Sequence, residues 1–201
     1  MRERAISLDI DGVVLFRPPL QLGAVINRHV MRCASTMYNS PDAIPQIMRA
    51  PVPGNIKAGE LISFLMHYLK WVYPGARDFI RNQEGVYIYG NTGRKNKVPW
   101  VELTKKILGK GRVLDRFEHI FFKEAGTKTM LSKLEAVHRL TKIYPHVTHY
   151  DDNPADALPI AAFFPDVEVV IVQDLSAGVL YSSEELAKYP NVRKIAGLKA
   201  A

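Results

Sequence analysis

Residues 7–14 read SLDIDGVV, an apolar run broken by Asp9 and Asp11 and followed by Gly12. Burying even one unpaired carboxylate costs several kcal/mol, so two of them, two positions apart, need a reason. A site that uses negative charge is one; a turn built from Asp and Gly is the other. The choice between them depends on what the other strand-like segments carry at their ends.

Four short apolar runs have the composition of buried strands: Ala5–Leu8, Val86–Tyr89, Val147–Tyr150 and Val167–Val172. Their near-continuous apolar character fits strands covered on both faces. Between them, Val98–Leu108 and Met130–Ile143 have helical spacing. In the second, Leu134, Val137 and Leu140 form an apolar stripe, with Lys133, Arg139 and Lys142 available to face water. Strands alternating with helices predict an α/β chain, a Rossmann-like three-layer core around a mostly parallel sheet. Residues 17–73 lack a convincing strand and read as two helices separated by a Pro-containing loop, NSPDAIPQIMRAPVPGN. They are expected to form a small helical cap inserted between core segments 1–16 and 74–201. The insert follows the acidic turn directly, which places it over the sheet edge from which that turn emerges.

The 201 residues suffice for one substantial core, and 47% hydrophobic with 23% charged residues is the balance of a globular protein rather than a disordered tail. No apolar run approaches the roughly 20 residues of a membrane helix, and MRERAISLDID does not read as a secretory signal. Cys33 is the single cysteine, which rules out an internal disulfide and a thiolate cluster and agrees with a reducing, cytoplasmic setting. The net charge is +7, and residues 94–116 alone hold eight basic and two acidic residues. Such a stretch suits either a solvated helix face or attraction of a phosphorylated substrate or nucleic acid.

Polar groups follow three of the strand-like runs: LDIDG, GNTGR and YDDNPAD. Parallel sheets bind ligands beyond the carboxyl ends of their strands, so Asp9, Asp11, Thr92, Asp151, Asp152 and Asp156 are expected to converge. Two carboxylates about 4 Å apart repel by roughly 4 kcal/mol at an effective dielectric near 20; a divalent cation reverses that penalty. Each motif also has a structural reading. Asp-x-Asp-Gly and Asn-Thr-Gly suit turns, and in DDNPAD, Asp152 or Asn153 can cap a helix with Pro154 in its first turn.

The three together resemble the haloacid-dehalogenase-like phosphohydrolase superfamily, over residues 4 to about 196. Asp9-Ile10-Asp11-Gly12-Val13 matches its first motif, Thr92 in YIYGNTGR its second, and Asp152 with Asp156 in HYDDNPAD its acidic fourth, with Asp151 standing where glycine is frequent. The resemblance implies that Asp9 is a nucleophile, Asp11 a general acid/base, and Thr92 and a lysine the partners of the phosphoryl oxygens. Lys133 has the better spacing for that lysine, with Val137 and Leu140 at i+4 and i+7; Lys128 in AGTKTM stays open. Mg²⁺ is implied at Asp9, the backbone carbonyl of Asp11, and Asp152, the division between Asp151 and Asp152 being undecided. Relatives that dehalogenate generally lack the second aspartate, so Asp11 favours phosphate esters.

The expected activity is therefore Mg²⁺-dependent hydrolysis of a small phosphomonoester through an aspartyl phosphate, with Arg17 and Arg94 among the groups that attract the substrate. In the insert, Arg28, His29, Arg32 and Arg49 are further candidate donors. A phosphatase for nucleotide or nucleic-acid ends, and a non-catalytic binding protein on the same core, are the alternatives.

Overall fold

The computed structural model describes residues 3–15, 70–172 and 186–198. Strand β1 (Arg4–Asp9) shows how the layers arise. Successive side chains of a strand point to opposite faces, and here Ala5 joins one apolar cluster while Ile6 and Leu8 join another. Val169 and Ile171 likewise join the first cluster, and Val170 and Val172 the second. Strands apolar on both faces need helices on both, and that is the observed arrangement.

The other strands are β2 (Val86–Lys95), β3 (Phe117–Lys123), β4 (His146–Asp151), β5 (Glu168–Val172) and β6 (Val192–Ile195). The described strands form one sheet in the order β3-β2-β1-β4-β5-β6, with every pairing parallel. Helices α1 (Pro74–Asn82) and α2 (Val98–Lys110) cover the face of Ile6 and Leu8. Helices α3 (Thr129–Thr141) and α4 (Pro154–Phe163) cover the face of Ala5. This is the three-layer α/β core that the alternation of strands and helices predicts. No helix among the described residues is long and apolar enough to cross a membrane.

Three features differ from the reading of the sequence. Strands β3 and β6 were not foreseen. Both are edge strands, and FEHIFFK and VRKI carry exposed polar residues, so neither shows the continuous apolar run of a central strand. Strand β2 does not end before GNTGR but runs through it to Lys95. The glycine there serves close packing rather than a turn, since a Cβ on Gly93 would lie 2.6 Å from Thr129 Cγ2 of α3. Finally, Lys133 does not face water. Arg139 and Lys142 do, but Lys133 is buried on the sheet side of α3.

The described end of the sequence-predicted insert lies against the core. Val72 pairs with Leu15 as an antiparallel bridge, and Tyr73 N donates to Val14 O at 3.0 Å. Arg17, Arg28, His29, Arg32, Cys33 and Arg49 lie outside the described residues.

Leu134 is fully buried, whereas Ile143, just past the end of α3, is 66% exposed. Leu134→Ala is expected to lower stability by about 2–5 kcal/mol, and Ile143→Ala by less than about 0.5 kcal/mol. Urea titrations of the two variants would measure the difference.

Candidate active site

The polarity of β1 and β4 rises along the strands on the face covered by α3. Ala5 stands beside Val147, and two residues on, Ser7 stands beside His149. A further two residues on, each strand ends in an aspartate, Asp9 and Asp151. The period of two therefore delivers a polar pair and then an acidic pair to the carboxyl edge of the sheet. Below the acids, the hydrogen bonds fix the side chains. Asn91 Nδ2 donates to Ser7 Oγ at 3.4 Å and to the Lys133 carbonyl at 3.3 Å. Ser7 Oγ is hydrogen-bonded to His149 Nδ1 at 3.0 Å and His149 Nε2 to Asp151 Oδ2 at 3.2 Å; in the tautomer with its proton on Nε2, the imidazole donates to the carboxylate and accepts from the Ser7 hydroxyl.

Lys133 closes this arrangement from α3. Its Nζ donates to Asp151 Oδ2 at 2.7 Å and to Asp156 Oδ2 at 3.2 Å, and pairs with Asp9 Oδ2 at 3.2 Å. Burial opposes a charged ammonium, but the carboxylates of Asp151, Asp9 and Asp156 outweigh it and hold the Lys133 pKa well above the ordinary lysine value. The acids respond unequally. Burial pushes Asp151 up, yet Lys133 and the His149 hydrogen bond outweigh it and bring its pKa down to about 2. For Asp9, burial dominates, Lys133 opposes it, and Asp151, Asp152 and Asp11 add to it, so its carboxyl sits well above the usual range. Asp156 is also raised, by burial first and against the pull of Lys133.

Asp152 comes from the turn into α4. Asn153 caps that helix by accepting from Ala155 N at 3.2 Å, Pro154 takes the first turn, and Asp151 Oδ1 accepts from Asn153 N at 2.9 Å. The helix entrance and a buried acidic cluster thus coexist in DDNPAD. Gly12 completes the cradle. It has φ +94°, in the region that favours glycine, and a Cβ there would lie 2.1 Å from Asp152 Oδ2. The loop after β1 is therefore pressed onto the Asp152 carboxylate.

Carboxylate oxygens of Asp9, Asp151 and Asp152 lie within 4.8 Å of one another, all three residues buried. Hard oxygen donors of this kind suit Mg²⁺, and the three carboxylates could hold a metal ion. Asp151 gives Oδ2 to Lys133 and His149 and Oδ1 to the Asn153 amide, so both its oxygens are engaged within the protein.

Asp11 points elsewhere. Arg94 grips it with two hydrogen bonds, Nε to Oδ2 at 2.8 Å and Nη2 to Oδ1 at 2.7 Å, and Lys70 Nζ donates to Oδ1 at 2.7 Å. Arg94 is itself buried, and its third nitrogen donates to Thr104 Oγ1 of α2 at 2.7 Å. Thr92 is fully buried one residue beyond the Asp9–Asn91 pair, its Oγ1 accepting from Arg94 N at 3.2 Å.

The structure thus brings Asp9, Asp11, Thr92, Arg94, Lys133, Asp151, Asp152 and Asp156 to one edge of the sheet. Lys128 occupies the N-cap position of α3, and the acidic cluster receives Lys133. The sequence reading missed Lys70, Ser7, Asn91 and His149. For Ser7 and His149 a signal existed, since each precedes an aspartate of the same strand by two residues. A separate cavity of about 440 Å³ runs along edge strand β3 between Lys105 of α2 and Glu135 of α3; none of the clustered acids lines it.

Compared by sequence, the chain matches no family model and no curated protein. Compared by structure, it is similar to a putative haloacid dehalogenase-like hydrolase from Bacteroides fragilis, with 20% identity, 97% of each chain covered and a TM-score of 0.55. It is also similar to a predicted phosphoglycolate phosphatase from Haemophilus somnus (13% identity, 99% of this chain and 96% of that chain, TM-score 0.59). A third match is L-2-haloacid dehalogenase from Xanthobacter autotrophicus with chloropropionic acid covalently bound (12% identity, 99% and 96%, TM-score 0.56). The fold is that of the haloacid-dehalogenase-like hydrolases.

If the cradle holds a cation, Mg²⁺ at about 100 times its Kd raises stability by about 2.7 kcal/mol. Because the raised Asp9 carboxyl must release its proton to serve as a ligand, the stabilisation is expected to grow as pH rises above the ordinary carboxylate range. Gly12→Ala is expected to abolish it by displacing Asp152. Thermal melts with and without MgCl₂ over that rise in pH measure all three effects.

Proposed function

We propose that the chain is a Mg²⁺-dependent phosphatase that hydrolyses a small phosphomonoester through an aspartyl phosphate on Asp9. The observation that carries this reading is the meeting of Asp9, Lys133 and Asp152 at the carboxyl edge of the sheet, with Asp11 two residues along the same chain segment. The fold shared with hydrolases and phosphatases supports it.

Asp9 attacks phosphorus in line. An Asp9 O–P bond forms as the P–O bond to the leaving alkoxide breaks, and Asp11 supplies the proton that alkoxide needs. Water then attacks phosphorus, the Asp9 O–P bond breaks, and Asp11 recovers its proton from the water. Lys133 and the Thr92 hydroxyl stabilise the phosphoryl oxygens as charge redistributes. Mg²⁺, held by Asp9, the Asp11 carbonyl and Asp152, would supply positive charge against the substrate dianion and the carboxylates. Asp151 holds Lys133 rather than substrate, since both its oxygens are engaged within the protein. The placement of Asp11 favours an ester over a carbon–halogen bond, because a halide leaves without a proton. The single cysteine, Cys33, supports a cytoplasmic, reducing setting.

A second reading, a phosphatase for nucleic-acid ends, is favoured by the exposed basic residues Lys105, Lys106, Lys110 and Arg112 on and just after α2. It requires turnover of a phosphorylated oligonucleotide that exceeds that of a mononucleotide and weakens with salt.

The test is release of phosphate from a phosphomonoester panel with MgCl₂ or EDTA. Asp9→Asn is expected to lower kcat by about 10³-fold or more, and EDTA to abolish turnover. Lys133→Met is expected to lower kcat by about 10²-fold, and Lys128→Met to leave it within about twofold. Turnover unchanged by Asp9→Asn would overturn the reading; no turnover across the panel favours the binding protein.

A further inference from the structure

The hydrogen bonds beneath the acids return to the residue from which they start. Lys133 Nζ donates to Asp151 Oδ2 at 2.7 Å, and the same oxygen is bonded to His149 Nε2 at 3.2 Å. His149 Nδ1 meets Ser7 Oγ at 3.0 Å, and Ser7 Oγ accepts from Asn91 Nδ2 at 3.4 Å. Asn91 Nδ2 also donates to the carbonyl of Lys133 at 3.3 Å. Both ends of one lysine, its ammonium and its main chain, are thereby tied into a single ring. Ser7, Asn91, His149 and Asp151 are fully buried, and the ring joins β1, β2 and β4 to α3.

The donors give the ring a direction. Asp151, its pKa brought down to about 2, only accepts, so the His149 nitrogen that faces it carries a proton. Asn91 donates to Ser7 Oγ, which leaves the Ser7 hydroxyl proton for His149 Nδ1. Asp151 Oδ2 is therefore met by both Lys133 and His149, while Oδ1 takes the Asn153 amide at 2.9 Å. A carboxylate held from three sides has little freedom to turn. Lys133 lies closer to it than to Asp9 or Asp156, each at 3.2 Å, so Asp151 is the carboxylate that sets where the ammonium points.

We infer that His149, with Ser7 and Asn91 behind it, is a positioning residue that aims the Lys133 ammonium through Asp151. This rests on the phosphatase reading, in which Lys133 meets the phosphoryl oxygens; His149 is buried beneath the acids and acts only through the carboxylate.

The test measures kcat on p-nitrophenyl phosphate in single and double variants. His149→Phe is expected to lower kcat about 10-fold, and Ser7→Ala, a smaller deletion, about threefold. His149→Gln, which keeps an N–H toward Asp151, is expected to recover most of the loss. Beside Lys133→Met, His149→Phe is expected to cost less than about twofold more, because the group it aims is gone. His138→Phe, at another buried histidine, stacked on Phe164, is the control and is expected to leave kcat within about twofold. A merely structural histidine gives a loss that persists undiminished beside Lys133→Met; that result, or no loss with either His149→Phe or Ser7→Ala, would overturn the inference. NMR of the ¹⁵N-labelled full chain requires no turnover. It is expected to show His149 protonated at Nε2 and bare at Nδ1, and the Lys133 ammonium exchanging its protons at least about threefold faster in Ser7→Ala. A proton on Nδ1, or an unchanged exchange rate, would overturn it. A wild-type chain that turns over no phosphomonoester would count against the phosphatase reading alone, and the NMR would still decide the positioning.

Discussion

The buried ammonium of Lys133 is the constraint on which the site depends. A lysine in the interior is tolerated only where its charge is met, and here three carboxylates meet it from two strands and a helix N-terminus. The same contacts fix the relative positions of β1, β4, α3 and α4 at the edge where they converge. One cation against Asp9, Asp151, Asp152 and Asp156 leaves an excess of negative charge that is partly relieved by the raised pKa values of Asp9 and Asp156. That unevenness separates the acids by task. Asp151 is spent on holding Lys133 and the Asn153 amide, and its carboxyl is the one held low.

Beneath this cluster the sheet changes gradually from apolar to acidic. The Ala5–Val147 pair packs into the core, the Ser7–His149 pair forms hydrogen bonds, and only the last step is charged. A buried polar layer is stable when each member has a partner. The Asn91, Ser7, His149 and Asp151 chain supplies such partners directly under the carboxylates, although the buried Asn91 Oδ1 accepts no hydrogen bond from the described residues. Gly12 and Gly93 allow two further backbone segments to approach, one against Asp152 and the other against Thr129. The site is thus set by regular elements and close packing rather than by loops alone.

Much of this was legible in the sequence because it follows short-range rules. Apolar runs marked the central strands, and the charged or capping residues at their ends marked the edge where the acidic cluster gathers. What escaped had physical reasons. Edge strands β3 and β6 are half solvated, so FEHIFFK and VRKI lack the apolar continuity of buried strands. Asn91-Thr92-Gly93 has turn composition, yet the Asn91 side chain bonds across to Ser7 and the Lys133 carbonyl, and the strand continues. Lys133 was legible as the site lysine from its spacing, but its burial was not, because that depends on carboxylates from β1, β4 and α4. Lys70 gave no local signal, since its partner Asp11 is 59 positions away in the sequence.

The central claim is that Asp9 forms a covalent bond to phosphorus, with the surrounding charges arranged to permit it. Borohydride added during turnover of p-nitrophenyl phosphate reduces an acyl phosphate to the alcohol, and mass spectrometry of the peptide spanning residues 7–14 reports where. The account predicts homoserine at position 9 and not at position 11. Steady phosphate release with Asp9 recovered unchanged from the trapped enzyme would contradict it.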